Sequence, residues 1–205
     1  MSARRELLRL SALAGELLDL SRLDAAVQLR SEPVELGELA RAVVAEFGLR
    51  ARERDVDIEV IPPPAACWGR GDPDAVARVV RILLDNSLRY APPGEPIQVR
   101  AGRDDEGATI AVTDRGPGIP DEERDRIFER FHRGRSAGAQ SGFGLGLAIG
   151  RELAERMNGT LVLADSRFGA RFRLTLPATS GASSHTPSPV PHSVAAGRSS
   201  AAGSR

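Results

Sequence analysis

Four short clusters in this 205-residue sequence carry residue types able to do chemistry. The first runs from Leu83 to Tyr90, with Asn86, Arg89 and Tyr90 spaced to share one face of a helix. A carboxamide oxygen such as that of Asn86 suits a hard ion like magnesium, which takes oxygen ligands and keeps several waters. One turn on, the Arg89 guanidinium can reach a phosphate. The second cluster is Asp114-Arg115-Gly116-Pro117-Gly118-Ile119-Pro120. Its two glycines leave room for a flat ring against the backbone, and Asp114 offers an acceptor to an exocyclic amine such as that of adenine. The third runs from Arg126 to Arg133. Phe128 and Phe131 are expected to anchor a loop base to the core, and Arg130 and Arg133 can point at a phosphate chain. The fourth is Gly142-Phe143-Gly144-Leu145-Gly146-Leu147-Ala148-Ile149. Glycines alternating into a helix start place backbone N–H groups at the positive end of that helix, which makes an anion cradle.

Each cluster taken alone has a plainer reading. Asn86, Arg89 and Tyr90 can be an ordinary polar helix end, and Asp114 to Pro120 an ordinary Gly/Pro turn. The glycine run is neither the dinucleotide fingerprint, since no strand directly precedes it, nor a P-loop, since no Gly-Lys-Ser/Thr follows. His132 reads as a packed residue on a loop rather than a catalytic group. What counts is the order of the four clusters.

The elements that must position them follow from periodicity. Leu10, Leu13, Leu17 and Leu20 alternate steps of three and four, which predicts a helix over residues 2 to about 29 with a stripe too broad to face water alone. Pro33 to Glu35 starts a strand, Leu36 to Arg54 has helical spacing, and Val56, Ile58 and Val60 alternate with acids as a half-buried strand. A short extended piece is expected around Cys67 and Trp68. Asp72 followed by Pro73 is a helix start, an N-cap carboxylate with proline at the first position, for a helix to about Tyr90. Two strands, Ile97 to Arg103 and Thr109 to Thr113, are joined so tightly that they must pair antiparallel. A short helix from Asp121 to Phe128, a helix from Leu145 to Met157 and a closing hairpin of Thr160 to Asp165 with Ala170 to Leu176 complete the pattern. It excludes a doubly wound parallel sheet and predicts a two-layer α/β sandwich, a mixed sheet with helices on one face. From residue 178 onward Ser, Ala, Gly and Pro dominate, so 178–205 reads as a disordered tail in which His185 and His192 are merely solvated.

Bulk composition narrows the function classes. The formal net charge is zero, so no global field selects nucleic acid or an anionic membrane. All 28 basic residues are arginine, so any phosphate contact by a basic side chain falls to arginine. Cys67 is the only cysteine, which excludes an intrachain disulfide and a cysteine-based zinc site. No apolar run approaches the roughly 20 residues needed to span a bilayer. The expected setting is cytoplasmic.

In this order and spacing the four clusters resemble the asparagine box, first glycine box, F box and second glycine box of bacterial two-component sensor histidine kinases. Their catalytic domain shares the Bergerat-type nucleotide fold of gyrase, heat-shock chaperone and mismatch-repair ATPases. Glu16-Leu17-Leu18-Asp19-Leu20-Ser21-Arg22-Leu23-Asp24 is similar to the second helix of the kinase dimerisation hairpin. The resemblance implies a partial hairpin helix over residues 1–30, an ATP-binding domain over 33–177 and the tail over 178–205. It implies Mg2+ and ATP as ligands. Asn86 would hold magnesium, with Arg89 where the family usually has lysine and Tyr90 lining the nucleotide. Asp114 would take the adenine amine, with Gly116, Gly118 and Ile119 around the ring. Arg130 would approach the terminal phosphate as a catalytic group beside Asn86. Gly142, Gly144, Leu145, Gly146 and Leu147 would close over the phosphates, behind a lid from about Phe131 to Gly144.

Two departures are visible. Ile82 stands where the family's first asparagine falls, so one polar contact is lost. The family's phosphoacceptor histidine lies upstream of Glu16, and this chain is expected to start too late to include it. The implied partners are therefore the dimerisation hairpin of a histidine kinase and, through an intact kinase, a response regulator receiver domain, with no nucleic acid and no membrane segment in the chain. A regulatory nucleotide-binding module and an anti-sigma-type serine kinase share the fold and are the alternatives.

Overall fold

The computed structural model describes residues 28–132, 134 and 143–181. The helix expected over residues 2 to about 29 lies almost wholly outside them, as do Arg133, Gly142, His185, His192 and most of the lid.

The chain builds a five-stranded sheet in the order β2-β4-β5-β7-β6 and a separate two-stranded ribbon of β1 with β3. The strands are β1 (Glu32–Glu35), β2 (Ile58–Ile61), β3 (Trp68–Gly71), β4 (Ile97–Arg103), β5 (Ala108–Thr113), β6 (Thr160–Ala164) and β7 (Arg171–Leu176). β2 runs parallel to β4, and every other neighbour in the larger sheet is antiparallel. The sheet is mixed, and the tight Arg103-to-Ala108 connection enforces the antiparallel β4–β5 pair as expected. In that turn the Asp104 carboxylate accepts the backbone N–H groups of Glu106 and Gly107.

Three helices pack on the sheet: α1 (Leu36–Arg52), α2 (Pro73–Tyr90) and, after a single short turn α3 (Asp121–Arg124), α4 (Gly146–Arg156). α2 lies between α1 and α4. Strand alternation explains the layering. Ile97, Val99 and Ala101, Ile110 and Val112, and Phe172, Leu174 and Leu176 point to one face and are buried there. Leu36, Ala40, Val43, Phe47 and Ala51 of α1 and Val76, Val79, Val80, Leu83 and Leu84 of α2 meet them at helical spacing.

α2 begins where the sequence places it. The Asp72 carboxylate accepts the N–H groups of Asp74 and Ala75 at 2.9 and 3.1 Å, followed by Pro73 at the first position. The same carboxylate takes the backbone N–H of Arg30 at 2.9 Å and its guanidinium at 3.3 Å, which ties the segment entering the domain to the start of α2.

Two expectations are corrected. The helix predicted from Asp121 to Phe128 stops at Arg124. Pro120 provides no side-chain cap, and the chain continues in turns closed by bonds such as Arg126 N–H to the Glu123 carbonyl. At the other end, residues 178–181 are placed against β3. Ala178 bridges Gly69 and the Thr179 N–H donates to the Trp68 carbonyl at 3.0 Å.

Candidate functional site

α2 delivers the first cluster to one edge of the helical layer. Its apolar face is fixed in the core by Leu83, Leu84 and Leu88, and this rotates Asn86 and Tyr90 to half-buried positions and Arg89 into solvent. The expected common face is therefore split: Asn86 and Tyr90, four apart, share it, while Arg89 sits at its rim. Ile82 turns toward α4. A methyl placed on Gly146 would lie 3.4 Å from Ile82 Cγ2, so this apolar residue packs the start of α4 against α2.

The second cluster leaves β5 at its carboxyl end. Asp114 is only 2% exposed. Its Oδ1 accepts the N–H of Gly116 at 2.9 Å and the N–H of Ala170, immediately before β7, at 3.1 Å. Its Oδ2 accepts the hydroxyl of Ser87, on α2, at 3.3 Å. Burial pushes the Asp114 carboxyl above its ordinary value, against the pull of these three donors. A buried carboxylate so oriented is an acceptor held ready for a further N–H. The loop then runs close along α2. A side chain at Gly116 would meet the Tyr90 carbonyl oxygen at 2.8 Å, so only glycine fits this approach. Gly118 and Ile119 line a cavity of about 320 Å³ whose far wall is the β6–β7 hairpin, including Leu163, Ala164 and Gly169.

The third cluster behaves only partly as its spacing suggests. Phe128 packs edge-on to Phe172 of the core, with ring centroids 6.3 Å apart and planes at 89°, and the Arg151 guanidinium lies 4.9 Å over its face. Phe131 does not anchor the loop: it is 61% exposed. The loop base is held instead by backbone, through the Phe131 N–H on the Gly144 carbonyl at 2.9 Å, with Phe131 at φ 65°. Arg130 is exposed, and His132 is half-buried with its Nε2 enclosed.

The fourth cluster enters α4. Gly144 has φ 76°, and a side chain there would meet the His132 carbonyl oxygen at 2.4 Å. Leu145 is fully buried and thus a core anchor, while Gly146 and Leu147 are half-buried. Among the described residues no side chain caps the start of α4, and helix N-terminal N–H groups of this kind suit an anion. The structure thus brings together α2 with Asn86, Ser87 and Tyr90, the loop from Asp114, and the start of α4. Two groups were not read from the sequence. Ser87 was hidden by sitting between Asn86 and a core leucine. The Ala170 N–H carries no side-chain signal at all.

Residues 71–180 match a family model described as histidine kinase-, DNA gyrase B-, and HSP90-like ATPase. The signal transduction histidine-protein kinase/phosphatase MprB of Mycobacterium bovis is 38% identical over 164 residues, which cover 79% of this chain and 31% of that protein. The chain therefore spans about a third of the length of such relatives. A solved mycobacterial sensor histidine kinase MprB structure superposes with a TM-score of 0.62 at 34% identity, covering 72% of this chain and 98% of that one. Full-length ShkA, solved in complex with AMPPNP, superposes with a TM-score of 0.73 at 27% identity, covering 85% of this chain and 37% of that one. Family model, sequence and fold agree with a carboxylate held at a strand end beside an asparagine-bearing helix, and the chain belongs to the histidine kinase-like ATPases, as the ATP-binding catalytic region of a sensor histidine kinase.

Proposed function

We propose that this chain binds ATP with Mg2+ between α2, the Asp114 loop and the start of α4, and transfers the γ-phosphoryl group to a histidine on the dimerisation hairpin of a two-component kinase. The observation that carries the reading is Asp114, a carboxylate buried in a domain core with three donors fixing it and a lone pair left over. A purine 6-amino group fits there, Gly116 leaves the ring its approach along α2, and Tyr90 flanks it. The AMPPNP bound by ShkA supports an adenine nucleotide.

The start of α4, which has no side-chain cap among the described residues, would favour the phosphates, and the exposed Arg130 and Arg89 would contact the outer ones. The donor set suits magnesium. Among the described residues no three acids, histidines or cysteines gather to bind a metal. The neutral oxygen of Asn86 matches an ion held mainly by phosphate oxygens and water. Bound there, Mg2+ would neutralise charge on the β- and γ-phosphates. The chain's own residues bind, orient and screen. Asp114 and Gly116 fix the base, Asn86 and the α4 amides fix the phosphates, and the segment around Gly144 covers them. Positioning and charge neutralisation are what phosphoryl transfer requires of a protein. An imidazole nitrogen of the acceptor forms the N–P bond as the bond to the ADP oxygen breaks. The partner hairpin brings the histidine, and a receiver domain takes the phosphoryl group from it. Because the donor is ATP, we place the domain in the cytoplasm. Among the described residues no helix is long and apolar enough to cross a membrane.

The test mixes the chain, γ-labelled ATP and a hairpin bearing a histidine. The expected product is an acid-labile, base-stable phosphate on the hairpin, and none on the chain incubated alone. ATP binding without any transfer would leave a regulatory nucleotide-binding module. Stoichiometric label on the chain alone would make His132, His185 or His192 an acceptor.

A further inference from the structure

Among the described residues Ser87 is the one side chain that hydrogen-bonds to Asp114. It is 0% exposed and lies on α2 directly after Asn86, among the core residues Leu83, Leu84 and Leu88. The other two donors to the carboxylate are backbone N–H groups, both on Oδ1. Among the described residues only the Ser87 hydroxyl addresses Oδ2, at 3.3 Å. An ionised carboxylate offers about four lone-pair sites and no donor. Among the described residues three are taken, and the remaining one is on Oδ2, the oxygen that Ser87 holds.

We infer that Ser87 is a positioning residue for base selection: its hydroxyl keeps Asp114 acceptor-only, with a single open site on Oδ2, so that the pocket takes a 6-aminopurine and rejects a 6-oxopurine. The inference rests on Asp114 receiving the base. A 6-amino group donates into the open site. A 6-oxo group set there meets a lone pair of the anion and has nothing to accept. Sites built around one polar contact discriminate strongly against the analogue that cannot complete it. Without the hydroxyl, Oδ2 loses a donor that favours its charged form and gains a second open position. A proton can then occupy one of them, and the resulting acid O–H can donate to a 6-oxo group. Removing the hydroxyl therefore erodes selectivity rather than affinity for nucleotides in general.

The experiment titrates the 205-residue chain with ATP and with ITP, both with Mg2+, by calorimetry. These ligands differ only at the 6-position and the adjoining N1, which is an acceptor in adenine and an N–H in the 6-oxo base. The unmodified chain is expected to prefer ATP. In Ser87→Ala the ratio of the ITP to the ATP Kd is expected to fall by roughly tenfold, the scale of one hydrogen bond to a charged group. A thermal melt on the same sample checks the fold. Should Ser87→Ala not fold, Ser87→Cys carries the test. It keeps a similar shape with a weaker donor, and the ratio must fall there too. Equal weakening of both nucleotides, or an unchanged ratio in a folded variant, overturns the inference. Loss of the fold in both variants also overturns it, because the hydroxyl would then be a folding determinant. If the unmodified chain binds ATP and ITP equally, the Asp114 reading fails and takes this inference with it. A selective unmodified chain with an unchanged variant ratio overturns the Ser87 inference alone.

Discussion

Asp114→Asn changes one atom of the buried carboxyl and separates binding from stability. The carboxamide oxygen can stay where Oδ1 is, still accepting the N–H groups of Gly116 and Ala170. The NH2 group then replaces Oδ2, and the Ser87 hydroxyl turns to accept from it. The remaining N–H points where the open lone pair had been. An adenine amine now meets a donor with a donor. The loss is at least one hydrogen bond to a charged group, about 1.5–3 kcal/mol, or roughly 10- to 150-fold in the Kd for ATP. A 6-oxo nucleotide gains the partner that ATP loses, so the order of ATP and ITP should approach reversal. Stability moves the other way. Burial raises the Asp114 pKa in the folded state, so its contribution favours folding when it is protonated, below the unfolded pKa, and is lost as pH rises through the folded value. At neutral pH the ionised group is a cost, which asparagine removes. The variant should melt no lower than the unmodified chain at neutral pH, and the gap should close as pH falls below the ordinary carboxylate range. Calorimetry and melts across pH check both. An unchanged ATP Kd would remove Asp114 from base recognition, and a marked drop in Tm at neutral pH would mean that its ionised form is needed by the fold.

Asn86→Ala should weaken ATP binding more with Mg2+ than in chelator, and equal losses would make Asn86 a structural residue. Gly144→Ala should lower ATP affinity with little change in Tm, because φ 76° and the His132 carbonyl 2.4 Å away force the loop base to move while the core stays packed; unaltered affinity would separate this turn from the site. Asp72→Ala removes the α2 N-cap, worth about 1–2 kcal/mol, and its bonds to Arg30, so Tm should fall by a few degrees while folded protein still binds ATP. Deleting residues 182–205 should leave affinity and Tm unchanged. Cutting back to Pro177 should lower Tm, because the Thr179 bond to Trp68 goes with it.

The elements were legible wherever one physical cause dominates. Asp72 with Pro73 marked the start of α2 because an N-cap carboxylate and a proline both suit a helix start and little else. The β4–β5 hairpin followed from a connection too short for anything but antiparallel pairing. Residues whose proposed roles rest on their own functional groups, such as Asp114 and Asn86, were visible as types at suggestive spacing. Phe131 was misread because three-residue spacing means a shared face only inside a helix, and the chain beyond Arg124 turns instead.

Tertiary structure alone decided what surrounds the carboxylate. Ser87 and Asp114 are 27 residues apart and Asp114 and Ala170 are 56 apart, so no local pattern links them. Their meeting depends on α2 packing with Leu83, Leu84 and Leu88 inward, and on β7 pairing with β5 so that Thr113 faces Arg171. Sequence determined which groups can accept an amine or bind a metal. Packing determined which lone pair is left open, because burial excludes water and sheet register fixes which backbone N–H groups fill the others.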